Sequence, residues 1–472
     1  MTRTNLSVRN LKFNAAAVLC ARLTVPALNV VLVIGITRAI GFTLLGQYTL
    51  LLTLVLLADA AKSAGLHNFV IREVARESPD ASECYQSLIR IGLAGAALCA
   101  PVVLLVARFS SPHLVMPATV MALALLPGCV ITANESIFLA KGRAHITAAI
   151  TLIENVIRLS VSLVVILWAG GGIMALAGIY SGARFLAAIM GLFAMRRFGD
   201  HVPSHSARMT LGMLRSAPEF GGVFVLPMVL FRLDVLLLGM IAGDYAVGVY
   251  SAAMRFISVI VLIPDSIMSA TFALLSKLAG PGGDGEFDRL VDKTIQMLSN
   301  CLTPITIFLV LSAPVLLRVL FGGKSESAVL ILEILAWSMT PFALTRAVGD
   351  SLVALGSQRA VAMAIGGSTV VSAVLYVVLI RQYDTVGAAI GFFASGIILL
   401  AMLTIYQSWA PRRVASPGQL VRALFPGIVS AGVFFAADGR IRTMSVVSSY
   451  VLATVFVNWR TAVGRVAPEA ER

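Results

Sequence analysis

An all-α, polytopic membrane protein with about fourteen transmembrane helices is the fold class predicted here, and three observations predict it. Of 472 residues, 58% are hydrophobic and only 12% are charged, whereas soluble domains carry about 25% charged residues. The mean hydropathy is +0.93. Apolar runs long enough for helices of about 20 residues recur along the whole chain with short connections. A transmembrane barrel would instead show alternating segments of about ten residues.

In chain order the spans are predicted near 13–36, 44–66, 87–107, 114–138, 145–168, 172–195, 218–241, 246–272, 295–320, 328–354, 359–380, 386–408, 419–436 and 441–458. Within each helix the backbone polar groups satisfy one another, as a hydrocarbon solvent demands. Lys and Arg in the connections and at the span ends then set the orientation. With the N-terminus placed in the cytoplasm, 22 such residues fall inside and 7 outside. Both termini are therefore expected inside, and the formal charge of +13 reads as a topology signal.

A short glycine pattern divides the chain. Gly41, Gly46 and Tyr48 recur as Gly243, Gly248 and Tyr250, each displaced by 202 residues. Both triplets fall at the short turn between two long apolar segments. The simplest reading is a duplicated bundle whose halves each open with the same helical hairpin, the architecture on which alternating-access transporters are built. The basic, polar stretch 196–217 separates two sets of six spans and is the expected linker.

Several function classes lose support. The first span is longer than a signal-peptide core and carries Arg22 near its middle, so it is read as retained. Cys20, Cys84, Cys99, Cys129 and Cys301 are scattered, without pairing or metal spacing. The five histidines lie at span ends or in loops and form no metal motif; no cofactor is expected. Basic stretches with interleaved aromatics, which would stack bases, are absent, so no nucleic-acid partner is expected. The stretch Leu278–Asp288, LAGPGGDGEFD, lacks the Gly-Lys-Ser/Thr of a phosphate cradle and is read as an ordinary loop.

Charges within the spans are the remaining chemical signal, because ionisable groups in a bilayer are costly and face a cavity or a partner. Asp59 with Lys62, Glu154 with Arg158, and Arg346 with Asp350 stand three or four residues apart, where helical side chains meet, and are expected to form structural ion pairs. Arg22, Arg184, Arg232 and Arg255 lack such a neighbour on their own helix. They are candidates for a cationic cavity, since guanidinium matches phosphate oxygens with paired hydrogen bonds. Pairing across helices with Asp59, Asp234 or Asp265 is the structural alternative. These three carboxylates, on spans that begin the two halves, are the candidates for ion coupling.

The segments RAIGFTLLGQYTLL and GLHNFVIREVAR resemble the first hairpin of the oligosaccharide flippases in the multidrug/oligosaccharidyl-lipid/polysaccharide exporter superfamily. FRLDVLLLGMIAGDYAVGVYSAAMRFISVIVLIPDSIMSATFALLSKL resembles that family's entry into its second half. VLFGGKSESAVLILEIL and VGAAIGFF fit its later spans. The resemblance covers most of residues 10 to 408. It implies an N-terminal lobe at 1–195, a cytoplasmic linker at 196–217 and a C-terminal lobe at 218–408, the lobes forming a V. Two further spans and a cytoplasmic tail follow at 409–472.

The function so implied is non-enzymatic: translocation of undecaprenyl-diphosphate-linked oligosaccharide across the bacterial inner membrane for O-antigen, capsule or exopolysaccharide synthesis. Expected partners are the lipid-linked oligosaccharide, membrane lipids, and a polysaccharide polymerase with its chain-length machinery; the protein is expected to be a monomer. The alternatives are a multidrug or cation exporter, or a peptidoglycan-precursor flippase, of the same superfamily. Outside it stand a non-transporting membrane scaffold and an intramembrane glycan enzyme.

Overall fold

The computed structural model describes residues 8–63, 65–75, 81–198, 213, 225–280, 284–322, 326–410, 414–436, 446 and 448–454. Among them every regular element is helical, as the composition requires. Eight helices are long and apolar enough to cross a membrane, or nine when the bent pair Pro112–Ala122 and Leu125–Ala140 is taken as one span. The expected fourteen is not reached by that count. One reason is that two of the eight, Val225–Leu278 and Gln358–Trp409, run through breaks at Gly243 and Asp384. Straight helices of 54 and 52 residues would be about 80 Å long at 1.5 Å per residue, far beyond the bilayer core of about 30 Å. Each therefore holds two of the predicted spans.

The chain forms two compact units, Met1–Ala252 and Ala253–Arg472. In the first, α1 (Val8–Ala39) packs along α7 (Ala144–Ala169), and α7 against α8 (Ile173–Phe198). Next come α2 (Phe42–Ala61), α4 (Ala81–Ser110), and the bent pair α5 (Val115–Ala122) and α6 (Leu125–Ala140), with α2 and α6 on α4 and α5 and α6 on α8. These reproduce the six predicted spans of the first half. Between α2 and α4 lies α3 (Leu66–Ala75), whose Leu66, Val70 and Val74 point to one face. They join Leu88, Ile137 and Phe138 in a buried cluster, so the chain after α2 is docked against the bundle. The unit closes with the first part of α9 (Leu233–Ile260), which Gly243 bends.

In the second unit α10 (Leu262–Leu278) and α11 (Asp284–Phe321) pack together; α12 (Glu326–Trp337) and α13 (Met339–Ala354) follow, then α14 (Gln358–Tyr406) and α15 (Pro417–Ala436). Helix α11 already begins at Asp284, inside the stretch read as a loop, so only its glycine-rich first half connects elements. At Gly387 a Cβ would overlap the carbonyl of Leu379, which explains how α14 doubles back tightly at Asp384. The linker 196–217 and the last span 441–458 lie largely outside the described residues.

Candidate functional site

The repeated glycine triplet has one backbone conformation in both places. Gly41 stands at φ 118°, ψ −177° and Gly243 at φ 82°, ψ −176°, a region that essentially only glycine enters. Each turns one apolar helix into the next. The two turns also cross. A Cβ on Gly46 would overlap the carbonyl oxygen of Asp244 and lie 2.8 Å from the amide nitrogen of Gly248. A Cβ on Gly248 would in turn overlap the carbonyl oxygen of Phe42. Asp244 follows Gly243 as Phe42 follows Gly41, so the contact is reciprocal, as a local twofold axis would make it. The rings of Phe42 and Tyr245 meet edge to face at 6.1 Å.

A polar cluster sits on this crossing. The carboxylate of Asp244 accepts hydrogen bonds from Ser111 Oγ at 2.8 Å, His113 Nε2 at 2.9 Å and Gln47 Nε2 at 3.1 Å. It is 8% exposed while His113 is 58% exposed. None of these four residues was singled out in the sequence, because they fall in turns or carry no charge in a span. The signal available was the position of Asp244 directly after a repeated glycine.

At the other end of α2 lies a charged triad, completed from α8. Asp59 Oδ1 accepts from Lys62 Nζ, and Asp59 Oδ2 from Arg184 Nη2 at 3.2 Å. The Lys62 side chain is wholly buried, and those of Arg184 and Asp59 are 16% and 24% exposed. Gly128 makes the room: a Cβ there would lie 2.5 Å from Asp59 Oδ1, 2.6 Å from Lys62 Nζ and 3.1 Å from Arg184 Nη2. Glu135 on α6 and Glu154 on α7 lie within electrostatic reach of Arg184. Asp59 and Glu135 also line a cavity of about 380 Å³, together with His67, Asn68, Ser63 and Thr132. Burial pushes the His67 imidazole below its ordinary range, so this ring contributes neutral donor and acceptor capacity.

Of the seven site residues predicted from sequence, the structure joins Asp59 with Arg184. Asp234, with no exposed surface, accepts from the Tyr250 hydroxyl at 2.5 Å and the Val235 amide at 2.7 Å. It thus clasps the two arms of the second hairpin. Arg232 forms no salt bridge among the described residues. Arg22 lies in α1, but its side chain is outside those described. In the second unit Arg255 is partly buried on α9. Asp265 pairs with Arg346 Nε at 3.4 Å, and the same guanidinium reaches Asp350 at 3.6 Å, so Arg346 serves two carboxylates. The expected pair of Glu154 with Arg158 is corrected. Arg158 donates to Asn155 Oδ1 at 2.6 Å and to Asn29 Oδ1 at 3.0 Å on α1, and stacks over Tyr180.

A duplicated helical hairpin and paired charges among apolar helices long enough to cross a bilayer define a multi-pass membrane protein. Residues 36–330 match the family described as polysaccharide biosynthesis protein, and the chain belongs to that family. It is 21% identical over 331 residues, 68% of this chain and 67% of the relative, to the "probable low-salt glycan biosynthesis flippase Agl15" of Haloferax volcanii. The lipid II flippase MurJ, solved in an inward closed conformation, shares the fold at a TM-score of 0.71 and 12% identity, over 96% of this chain and 99% of that one. An inward-facing MATE-family multidrug transporter follows at a TM-score of 0.68 and 14% identity, over 83% and 98%. The expected exporter-like helical fold is met by these structures, and the expected link to polysaccharide biosynthesis by the family match.

Proposed function

We propose that this protein flips undecaprenyl-diphosphate-linked oligosaccharide across the bacterial inner membrane by alternating access between two lobes, 1–195 and 218–408, with both termini in the cytoplasm. The observation that carries the reading is the triad of Asp59, Lys62 and Arg184. Two basic side chains are held by one carboxylate beside a cavity, where the charge cost of burial calls for a purpose. A diphosphate offers the same basic pair more oxygens than one carboxylate does. Asp59 thus acts as the internal counterion that a substrate head group displaces, and a proton or cation arriving at Asp59 favours that exchange. Arg22, Arg232 and Arg255 are the further candidates for binding the head group, and Asp234 and Asp265 are the further coupling candidates. The family match and the flippase name of the relative support the glycan substrate.

The multidrug-exporter reading has one observation in its favour: the cavity is lined by two carboxylates, Asp59 and Glu135, which suit a cationic guest. A vesicle assay decides. With lipid-linked oligosaccharide reconstituted in both leaflets, the protein should expose the inner pool to an externally added, membrane-impermeant glycosidase. A rate equal to that of protein-free vesicles, together with protein-dependent efflux of a lipophilic cation, would replace the first reading by the second.

A further inference from the structure

We propose that Asp244 is the latch of the outer closure, a positioning residue that holds the two glycine turns crossed until the transport cycle releases them. The inference rests on the alternating-access reading and on the charge-based orientation, which puts both turns and the segment 111–113 on the outer side. Three side chains from two separate pieces of chain meet at one carboxylate: Gln47 from the first hairpin, and Ser111 and His113 from the turn after α4. Asp244 itself belongs to the second hairpin, so its hydrogen bonds add a polar tie between elements that also meet at the glycine crossing and through the rings of Phe42 and Tyr245.

The composition of the contact marks it as one that can open. Gly46 and Gly248 meet backbone through backbone, with the edge-to-face pair of Phe42 and the half-exposed Tyr245 beside them. The polar partners stand at the rim, where His113 is largely exposed and water can replace each hydrogen bond as it breaks. The clasp inside the second hairpin has the opposite character. Asp234 and Tyr250 are both fully buried, so the two arms of that hairpin travel together and the weaker outer contact is the one that yields. The cavity of the same unit lies toward α3, at the other ends of these helices.

The test uses the full chain in intact cells, with Ala246→Cys as reporter. Ala246, two residues after Asp244, is buried, and the substitution adds one sulfur atom. Labelling by a membrane-impermeant maleimide is compared with the chain lacking that cysteine, and thermal unfolding confirms a native fold. Asp244→Ala should speed labelling about tenfold. Asp244→Asn, which keeps one acceptor oxygen, should fall between, and Ser111→Ala should give about threefold. An unchanged rate in folded Asp244→Ala overturns the latch; should that variant not fold, an unchanged rate in Ser111→Ala does the same. Labelling that appears only after the membrane is breached overturns the outer placement. Because the reporter needs no substrate, an accelerated rate in Asp244→Ala together with no glycan flipping by the native chain would uphold the latch and refute the substrate reading instead.

Discussion

Gly46 sits against the peptide carbonyl of Asp244 so closely that no side chain fits between them, and Gly248 stands in the same relation to Phe42. A methyl group at either position meets backbone, which cannot rotate away as a side-chain tip can. Gly46→Ala and Gly248→Ala should each destabilise the protein by about 1–3 kcal/mol or more, the usual cost of overpacking. Thermal unfolding in detergent reads this, with Gly178→Ala, where no atom lies within 4 Å of the added carbon, as the silent control. Equal melting of all three would dismiss the crossing.

Gly41 and Gly243 carry a different cost. Nothing lies within 4 Å of a Cβ on either, so the penalty of substitution is conformational alone. Their shared φ/ψ region should cost alanine about 1–3 kcal/mol at each site. Because the two conformations coincide, Gly41→Ala and Gly243→Ala should lower the melting temperature by similar amounts.

How much of this was legible in the sequence follows from the range of each interaction. The glycine repeat was visible because backbone geometry acts locally and demands one residue type. The pair of Asp59 with Lys62 was visible because both ride one helix at a fixed spacing. Arg158 turned to Asn29, 129 residues away, and no spacing rule carries that distance. Arg184 meets Asp59 across helices, so the sequence could name both but not their union. Glu135 was overlooked because it stands near the end of its span, and Asp244 because a carboxylate in a turn looks solvated until a second hairpin closes over it. The helix count fell short of the spans predicted partly because breaks at Gly243 and Asp384 leave continuous helices where hydropathy shows two.

Gly128 separates the chemistry of the triad from its folding. An added methyl would displace Asp59, Lys62 and Arg184, all of which end in flexible side chains. Gly128→Ala should therefore insert and fold nearly normally yet lose most glycan export, scored as surface polysaccharide in a cell lacking its own flippase. Full export would show that the triad's geometry is irrelevant to transport.

The orientation proposed above rests on the charge bias of 22 to 7 and the positive-inside rule. Reporter fusions at Asp200 and Arg465 should report cytoplasm, and one at Asp438 the outer side. An outer signal at Arg465 would contradict the even number of spans.

The triad yields the sharpest test of substrate. Asp59→Asn keeps the size of the side chain but leaves the wholly buried Lys62 ammonium beside Arg184 without the carboxylate that both pair with. Breaking a buried ion pair from one side costs about 3–5 kcal/mol, so the single variant should melt well below the native protein. Asp59→Asn combined with Lys62→Met should recover most of that loss, since it removes the orphaned charge as well. Undecaprenyl diphosphate, added without its sugars, then separates the two roles of Asp59. If the head group takes the place of the carboxylate, the lipid should raise the melting temperature of Asp59→Asn more than that of the native chain, and should raise that of the double variant least. Equal shifts in all three proteins would mean that the diphosphate is held elsewhere, and Arg184 would revert to a structural partner of Asp59.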